Sequence, residues 1–497
     1  MNALLVFSII ASYFLLLILI SYLTSRKADT STFFTANKQS PWYLVAFGMV
    51  GASLSGVTFI SVPGEVGNSG FTYFQMVLGY QLGYLVIGLI LLPIYYKLNL
   101  VSIYTYLEER FGIATYKTGA IYFLISRVIG ASFRLFLVAT VLQIAFFDNF
   151  GIPFWVTVIV TILLIWVYTF KAGIKTIVWT DTFQTFFMLL AVVVSVYLIG
   201  DALNMSFGEM IDAVKESKYS KMFDWNWQSD RNFYKQFIAG AFIAIVMTGL
   251  DQDMMQKNLT CKNLKDARKN MFWFSVSLIP FNLMFLTLGA LLYIFVEKTG
   301  ISFTDPEGFF YSVEQAKYLH TDQLFPQLAI HHFSIFAGIT FLLGIIAAAF
   351  SSADSALTAL TTSFTVDILG IDVRKDSEDT KRKKKFIHIG FSTLIFLVIL
   401  IFKWINDDSV INQVFRIAGY TYGPLLGLFA FGLFTKYKIK DKLVPLIAVL
   451  SPILTYIISA NSVKWFGGYK FGFELLLVNG MFMFLGLLLI NINKQAE

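Results

Sequence analysis

Thirteen apolar stretches recur along this chain, near residues 3–24, 42–65, 71–96, 119–147, 153–171, 177–201, 233–254, 271–297, 332–368, 385–403, 410–433, 443–460 and 471–492. A helix of roughly 20 apolar residues crosses the hydrocarbon of a bilayer. Inside hydrocarbon every backbone N–H and C=O must be bonded within the protein, and runs of this length meet that demand as helices. The expected fold class is therefore an all-α polytopic membrane protein with about 13 transmembrane helices. Composition agrees: 57% of residues are apolar and only 14% charged, which excludes a soluble protein. The first stretch has no basic residue before it and Arg26-Lys27 after it, so it reads as an uncleaved helix and not a signal peptide.

The formal charge of +7 is explained by topology rather than by a nucleic-acid partner. With the N-terminus outside, the inward loops hold Arg26, Lys27 and Lys38, then Lys97, Arg110 and Lys117, then Lys171 and Lys175, then Lys257, Lys262, Lys265, Arg268 and Lys269. Further inward loops carry Arg374, Lys375, Lys381 to Lys385, and Lys436 to Lys442. Outward loops are poorer, and one of the two long ones, 202–232, has Lys215, Lys218, Lys221 and Arg231. This alternation is the positive-inside pattern of a cell inner (plasma) membrane protein, with the C-terminus inside. No obligate protein partner is evident.

No phosphate-cradling G-x-x-x-x-G-K-[ST] loop occurs, and the four histidines do not share a helix face at ligand spacing. The single cysteine, Cys261, reads as a neutral loop residue. No catalytic constellation is present, so no enzyme is expected.

Two features break the apolar monotony. Gly51-Ala52-Ser53-Leu54-Ser55-Gly56-Val57-Thr58 interrupts the second stretch, and an interruption at membrane depth is tolerated where it lines a cavity or binds something. The ninth stretch contains Ala347-Ala348-Ala349-Phe350-Ser351-Ser352-Ala353-Asp354-Ser355, where Ser351, Asp354, Ser355 and Thr358 share one helix face. Small residues and hydroxyls suit helix packing; a carboxylate among them does not follow from packing. Unwound carbonyls and serine hydroxyls together can replace the water shell of an alkali cation. Charged residues at membrane depth are functional candidates, here Glu65, Arg127, Arg134, Asp181, Asp251, Asp354 and Arg416. Arg127 and Asp251 lie near expected helix ends, where snorkelling or an interfacial ion pair explains them about as well as function does; Arg134, Asp181, Asp354 and Arg416 lie deeper.

The interrupted helix, Pro63-Gly64, Thr180-Asp181, the run Gly249 to Lys257, Ser351-Ser352 and Tyr420-Thr421-Tyr422-Gly423-Pro424 resemble the sodium/solute symporter family, which includes sodium-coupled glucose, proline and sialic acid transporters. The resemblance implies an inverted-repeat (LeuT-like) 5+5 core. A leading helix and inner loop (1–40) precede a first five-helix repeat (41–201); an external loop (202–232), a second inverted repeat (233–433) and two trailing helices (434–497) follow. It implies Na+ as the coupling ion, one or two per cycle. The common sodium site falls on the carbonyls of Gly51, Leu54 and Ala348 and the hydroxyls of Ser351 and Ser352. A second site, found in some members, falls on Asp181, Ser351, Asp354 and Ser355, with Asp354 standing where the pattern has a hydroxyl. Alternatively, Asp354 pairs with an arginine and the stoichiometry stays at one.

By the same resemblance the solute contacts Ser53, Ser55, Thr58, Gln75, Arg134 and Arg416. Two buried guanidiniums in one cavity favour an anion such as sialic acid or another carboxylate, unless they neutralise Asp181 and Asp354. The alternative is a sugar symporter, disfavoured because Met247 and Leu278 stand where the sugar branch has hydrogen-bonding groups. Outside the transporter class the reading is a substrate sensor or passive channel.

Overall fold

The structure, a computed structural model, describes residues 3–25, 36–100, 102–169, 174–301, 310–312, 317–371, 378–405 and 409–492. Arg26, Lys27, Lys171, Arg374 and Lys375, counted above as inward charges, lie outside them. The helices that matter here are α1 (Ala3–Ser25), α2 (Trp42–Ser69), α3 (Tyr73–Val86), α4 (Ile113–Ala145), α5 (Phe154–Thr169), α6 (Ile174–Ala202), α7 (Phe233–Ala244), α8 (Gln252–Asn258), α9 (Leu264–Thr299) and α10 (Ile335–Ser363). They are followed by α11 (Glu378–Ile405), α12 (Val410–Thr421), α13 (Gly423–Phe434), α14 (Val444–Trp465) and α15 (Leu475–Leu489). One hairpin, Phe310–Ser312 with Lys317–Leu319, is the only strand pairing among the described residues.

Among the described residues, eight helices are long and apolar enough to span a bilayer alone, and ten spans result if two bent pairs each count as one. Three further expected spans correspond to shorter apolar helices, Ser8–Leu23, Phe154–Trp166 and Leu475–Leu489, so length by itself supports eight to ten spans and not a full thirteen.

Three breaks shape the interior, and two of them are offset by specific hydrogen bonds. In α2, Ser55 has φ 46° and ψ 176°, so the helix kinks inside the membrane-length run. Between α7 and α8 the chain turns by 70° at Leu250-Asp251. The carbonyls released there are met by Tyr95 Oη on Gly249 O at 2.8 Å and Tyr104 Oη on Leu250 O at 3.0 Å, while Gln252 Oε1 accepts from Ile103 N at 2.9 Å. Between α12 and α13 the bend is 47°, where Pro424 has no N–H to continue the ladder. Asn479 Nδ2 donates to Gly419 O at 3.0 Å and Tyr420 O at 2.8 Å in compensation. A Cβ on Gly423 would lie 2.3 Å from the Asn479 amide, which is why glycine stands there.

Helices α2, α6 and α10 pack on one another, and α3 packs on α7. Gly79 and Gly83 of α3 lie at the second contact. Cβ atoms added at Gly79 and Gly83 would lie 2.0 Å from Phe237 O and 2.3 Å from Ala241 O, so the glycines serve internal close approach.

Candidate functional site

The kink in α2 leaves Ser53, Ser55 and Thr58 on the wall of a central cavity of ≈ 80 Å³, together with Arg134 of α4, Met247, Thr248, Leu278 and Asn282. Tyr73 and Phe415 close one side of it: their rings stack with centroids 6.4 Å apart, and both line this cavity and the next small one. Beyond them opens a vestibule of ≈ 880 Å³. Organic ligand sites span about 300–1,000 Å³, so the central cavity as closed by this aromatic pair holds little more than water, and a larger solute enters only when the pair separates.

Arg134 is 8% exposed. No carboxylate of the described residues lies within 4.0 Å of it, and its Nε has no hydrogen-bond partner there. Arg416 was expected in the same cavity and is not there. On α12 the residues Val410, Ile411, Val414, Phe415 and Ala418 form the buried face. Arg416 falls on the opposite side of the helix, exposed, and lines the vestibule. Gln75 also lies off the cavity. In the first turn of α3 its Nε2 donates to Thr72 O and Arg231 O, both at 3.0 Å, and its Oε1 accepts from Asp224 N at 3.1 Å, which fastens the 202–232 segment. Glu65 pairs with Arg231 at 2.8 Å under the vestibule.

The ion-site candidates assemble around α10. Ser351 Oγ donates to Asp181 Oδ1 of α6 at 2.8 Å. Ser352 Oγ donates to Ala348 O at 3.3 Å, which brings two expected ligands of the common site together. Gly51 and Leu54 sit just before the Ser55 kink. Gly51 faces α6 so closely that a Cβ would lie 2.0 Å from Thr185 Oγ1. Ser355 Oγ donates to Asp253 Oδ2 at 3.3 Å, and Asp354 Oδ1 accepts from Ser355 N.

Several sequence-based expectations need correction. Asp181 is paired with neither Arg134 nor Arg416; its partner is Lys257, with Nζ 2.8 Å from Oδ2. Lys257, counted as an inward loop charge, is 1% exposed because the turn at Leu250-Asp251 sends α8 back into the bundle. Arg127 and Asp251 do not snorkel to solvent but are buried inside the bundle. Arg127 lies midway along α4 and is buried, bonded through Nη2 to Asp253 and 3.9 Å through Nη1 from Asp251. Asp251 caps α8 through Asp253 N and Met254 N and accepts from Tyr422 Oη at 2.7 Å. Cys261, expected as a neutral loop residue, does lie in the connection between α8 and α9, as a fully buried free thiol. Sequence reasoning missed Asp253, Lys257 and Tyr422 as members of one network; the signal available was two carboxylates and a lysine within Gly249 to Lys257.

Comparison with known proteins places this geometry. The model of the sodium:solute symporter family matches residues 33–441. A sodium/sialic acid symporter of Aliivibrio fischeri is 23% identical over 453 residues, covering 90% of this chain and 86% of that protein. A sodium-coupled monocarboxylate transporter 1 of Xenopus laevis is 25% identical over 401 residues, 78% of this chain and 60% of that protein. The solved structure of a Na+-coupled sialic acid symporter in a substrate-bound outward-open state superposes with a TM-score of 0.79 at 19% identity, covering 97% of each chain. With a kinked second helix, a cavity at the kink and a serine-rich helix beside it, this chain has the inverted-repeat transporter fold, and it belongs to the sodium:solute symporter family of multi-pass membrane transporters.

Proposed function

We propose that this protein imports a small carboxylate, sialic acid first among candidates, together with sodium by alternating access, and that Arg134 grips the carboxylate. The observation that carries this reading is the guanidinium of Arg134, buried on the cavity wall without a counter-ion within 4.0 Å among the described residues. A buried charge is costly unless paired, and a planar fork is suited to a carboxylate; the solute completes the pair. Ser53, Ser55 and Thr58 offer hydroxyls to the rest of it, while Gln75 and Arg416 act outside the cavity. Met247 and Leu278 on the wall offer no side-chain hydrogen bond to a sugar.

Sodium binds first, on the carbonyls of Gly51, Leu54 and Ala348 and the hydroxyls of Ser351 and Ser352, and joins the kinked α2 to α10. Its entry into an inside-negative cell supplies about 2.3 kcal/mol per charge per 100 mV. The repeats span 41–201 and 233–433, with the N-terminus outside and the C-terminus inside the plasma membrane. The ≈ 80 Å³ cavity supports a second reading within the same chemistry, a short monocarboxylate, the Xenopus relative being a sodium-coupled monocarboxylate transporter.

The test is uptake into proteoliposomes under an inward sodium gradient, potassium as control, offering sialic acid, lactate and glucose in parallel. Truncating one member of a buried charge pair costs about 2–5 kcal/mol, so Arg134→Ala should weaken uptake of the acid by at least ~25-fold at low concentration. Sodium-driven accumulation of glucose and not of either acid, or acid uptake indifferent to Arg134→Ala, refutes the assignment.

A further inference from the structure

Lys257 is the observation that the transport reading leaves unused. Lysine is almost never fully buried unless paired. Here the whole side chain is enclosed at 2% exposure, with Nζ 2.8 Å from Asp181 Oδ2. The other oxygen of the same carboxylate accepts from Ser351 at 2.8 Å. Lys257, Asp181 and Ser351 thus form a chain from α8 through α6 to α10. Nearby, Arg127 bonds Asp253 and stands 3.9 Å from Asp251, so Lys257 and Arg127 each have their own carboxylate partners.

Asp181 and Ser351 are also residues on which the sequence resemblance places a second sodium ion. An ion bound to the carboxylate of Asp181 would stand about one ion diameter from the ammonium, in a site with little water to screen the repulsion. The ammonium already supplies the positive charge that a second ion would bring. Ser351 is not lost to the common site by this arrangement. A hydroxyl has one proton and two lone pairs; with its proton given to Asp181, its lone pairs stay available to a cation.

We propose that Lys257 is a tethered counter-cation filling the Asp181–Ser351 position, so that this chain binds one sodium ion per cycle and would bind two without it. The proposal rests on sodium coupling and deepens it by naming the residue that sets the ratio. Asp181, neutralised by Lys257, then acts as a positioning residue that aims the Ser351 hydroxyl.

The test reads bound sodium without needing the solute. The thermal midpoint of the purified protein is followed against sodium, with choline holding ionic strength constant. At high sodium the midpoint rises with the logarithm of concentration in proportion to the number of ions bound to the folded state. Lys257→Met should double that slope relative to the parent, and Lys257→Met with Asp181→Asn should return it to the parental value. A folded Lys257→Met protein with the parental slope overturns the proposal. Should Lys257→Met not fold, the ratio is read on the parent by comparing sodium-22 and labelled-solute uptake in proteoliposomes: one sodium per solute supports the counter-cation and two overturns it. Absence of any sodium-specific stabilisation in the parent overturns sodium coupling itself, a result distinct from a parental ratio of two with uptake intact.

Discussion

Arg127→Met tests whether the ion cluster holds the break between α7 and α8. The guanidinium is 6% exposed and bonds Asp253 through Nη2, with Nη1 3.9 Å from Asp251. Asp251 in turn caps α8 through two backbone N–H groups and accepts from Tyr422 Oη at 2.7 Å. Removing the guanidinium while keeping the volume leaves two enclosed carboxylates, at 1% and 2% side-chain exposure, facing each other without their shared cation. Breaking a buried pair by deleting one partner costs about 3–5 kcal/mol, which is about a hundred- to several-thousand-fold in the folded-to-unfolded ratio. The assay is chemical unfolding in detergent micelles of the parent, Arg127→Met, Asp253→Asn and the double variant. The double variant removes both charges together and should recover about 2 kcal/mol or more relative to the sum of the singles, because contacting residues are not additive. A loss below about 1 kcal/mol in Arg127→Met, or a double variant no better than additive, would falsify the claim that this pair anchors the break.

Two further substitutions discriminate among the contacts. Ser351→Ala removes a hydrogen bond to a carboxylate, worth about 1.5–3 kcal/mol, whereas Ser352→Ala removes one to a backbone carbonyl, worth about 0.5–1.5 kcal/mol. Sodium-dependent uptake should therefore need more sodium in both, and markedly more in Ser351→Ala; the reverse order refutes the geometry of α10. Gly79→Ala places a methyl 2.0 Å from Phe237 O, and overpacking of this kind costs about 1–3 kcal/mol. Its thermal midpoint should drop, and an unchanged midpoint would mean that α3 and α7 separate freely.

The sequence by itself determined the helical membrane class, the kink in α2 and the polar face of α10. All three are local: a helix interior needs apolar length, a kink shows as glycines and hydroxyls within it, and a face follows from 100° per residue. Arg416 shows where that reasoning stops. The apolar run around it led to an expected place in the bundle interior, yet whether it faces the cavity depended on which side of α12 meets α2, and Phe415 occupies that side. Lys257 shows it more sharply. Along the chain it is a basic residue beyond the end of an apolar stretch, the ordinary mark of an inward loop. The 70° turn between α7 and α8 folds it back onto Asp181, 76 positions earlier in the sequence. Hydropathy and periodicity report what surrounds a residue along its own helix; ion pairing in a bundle depends on which helices meet and at what rotation, and only the tertiary structure decides that.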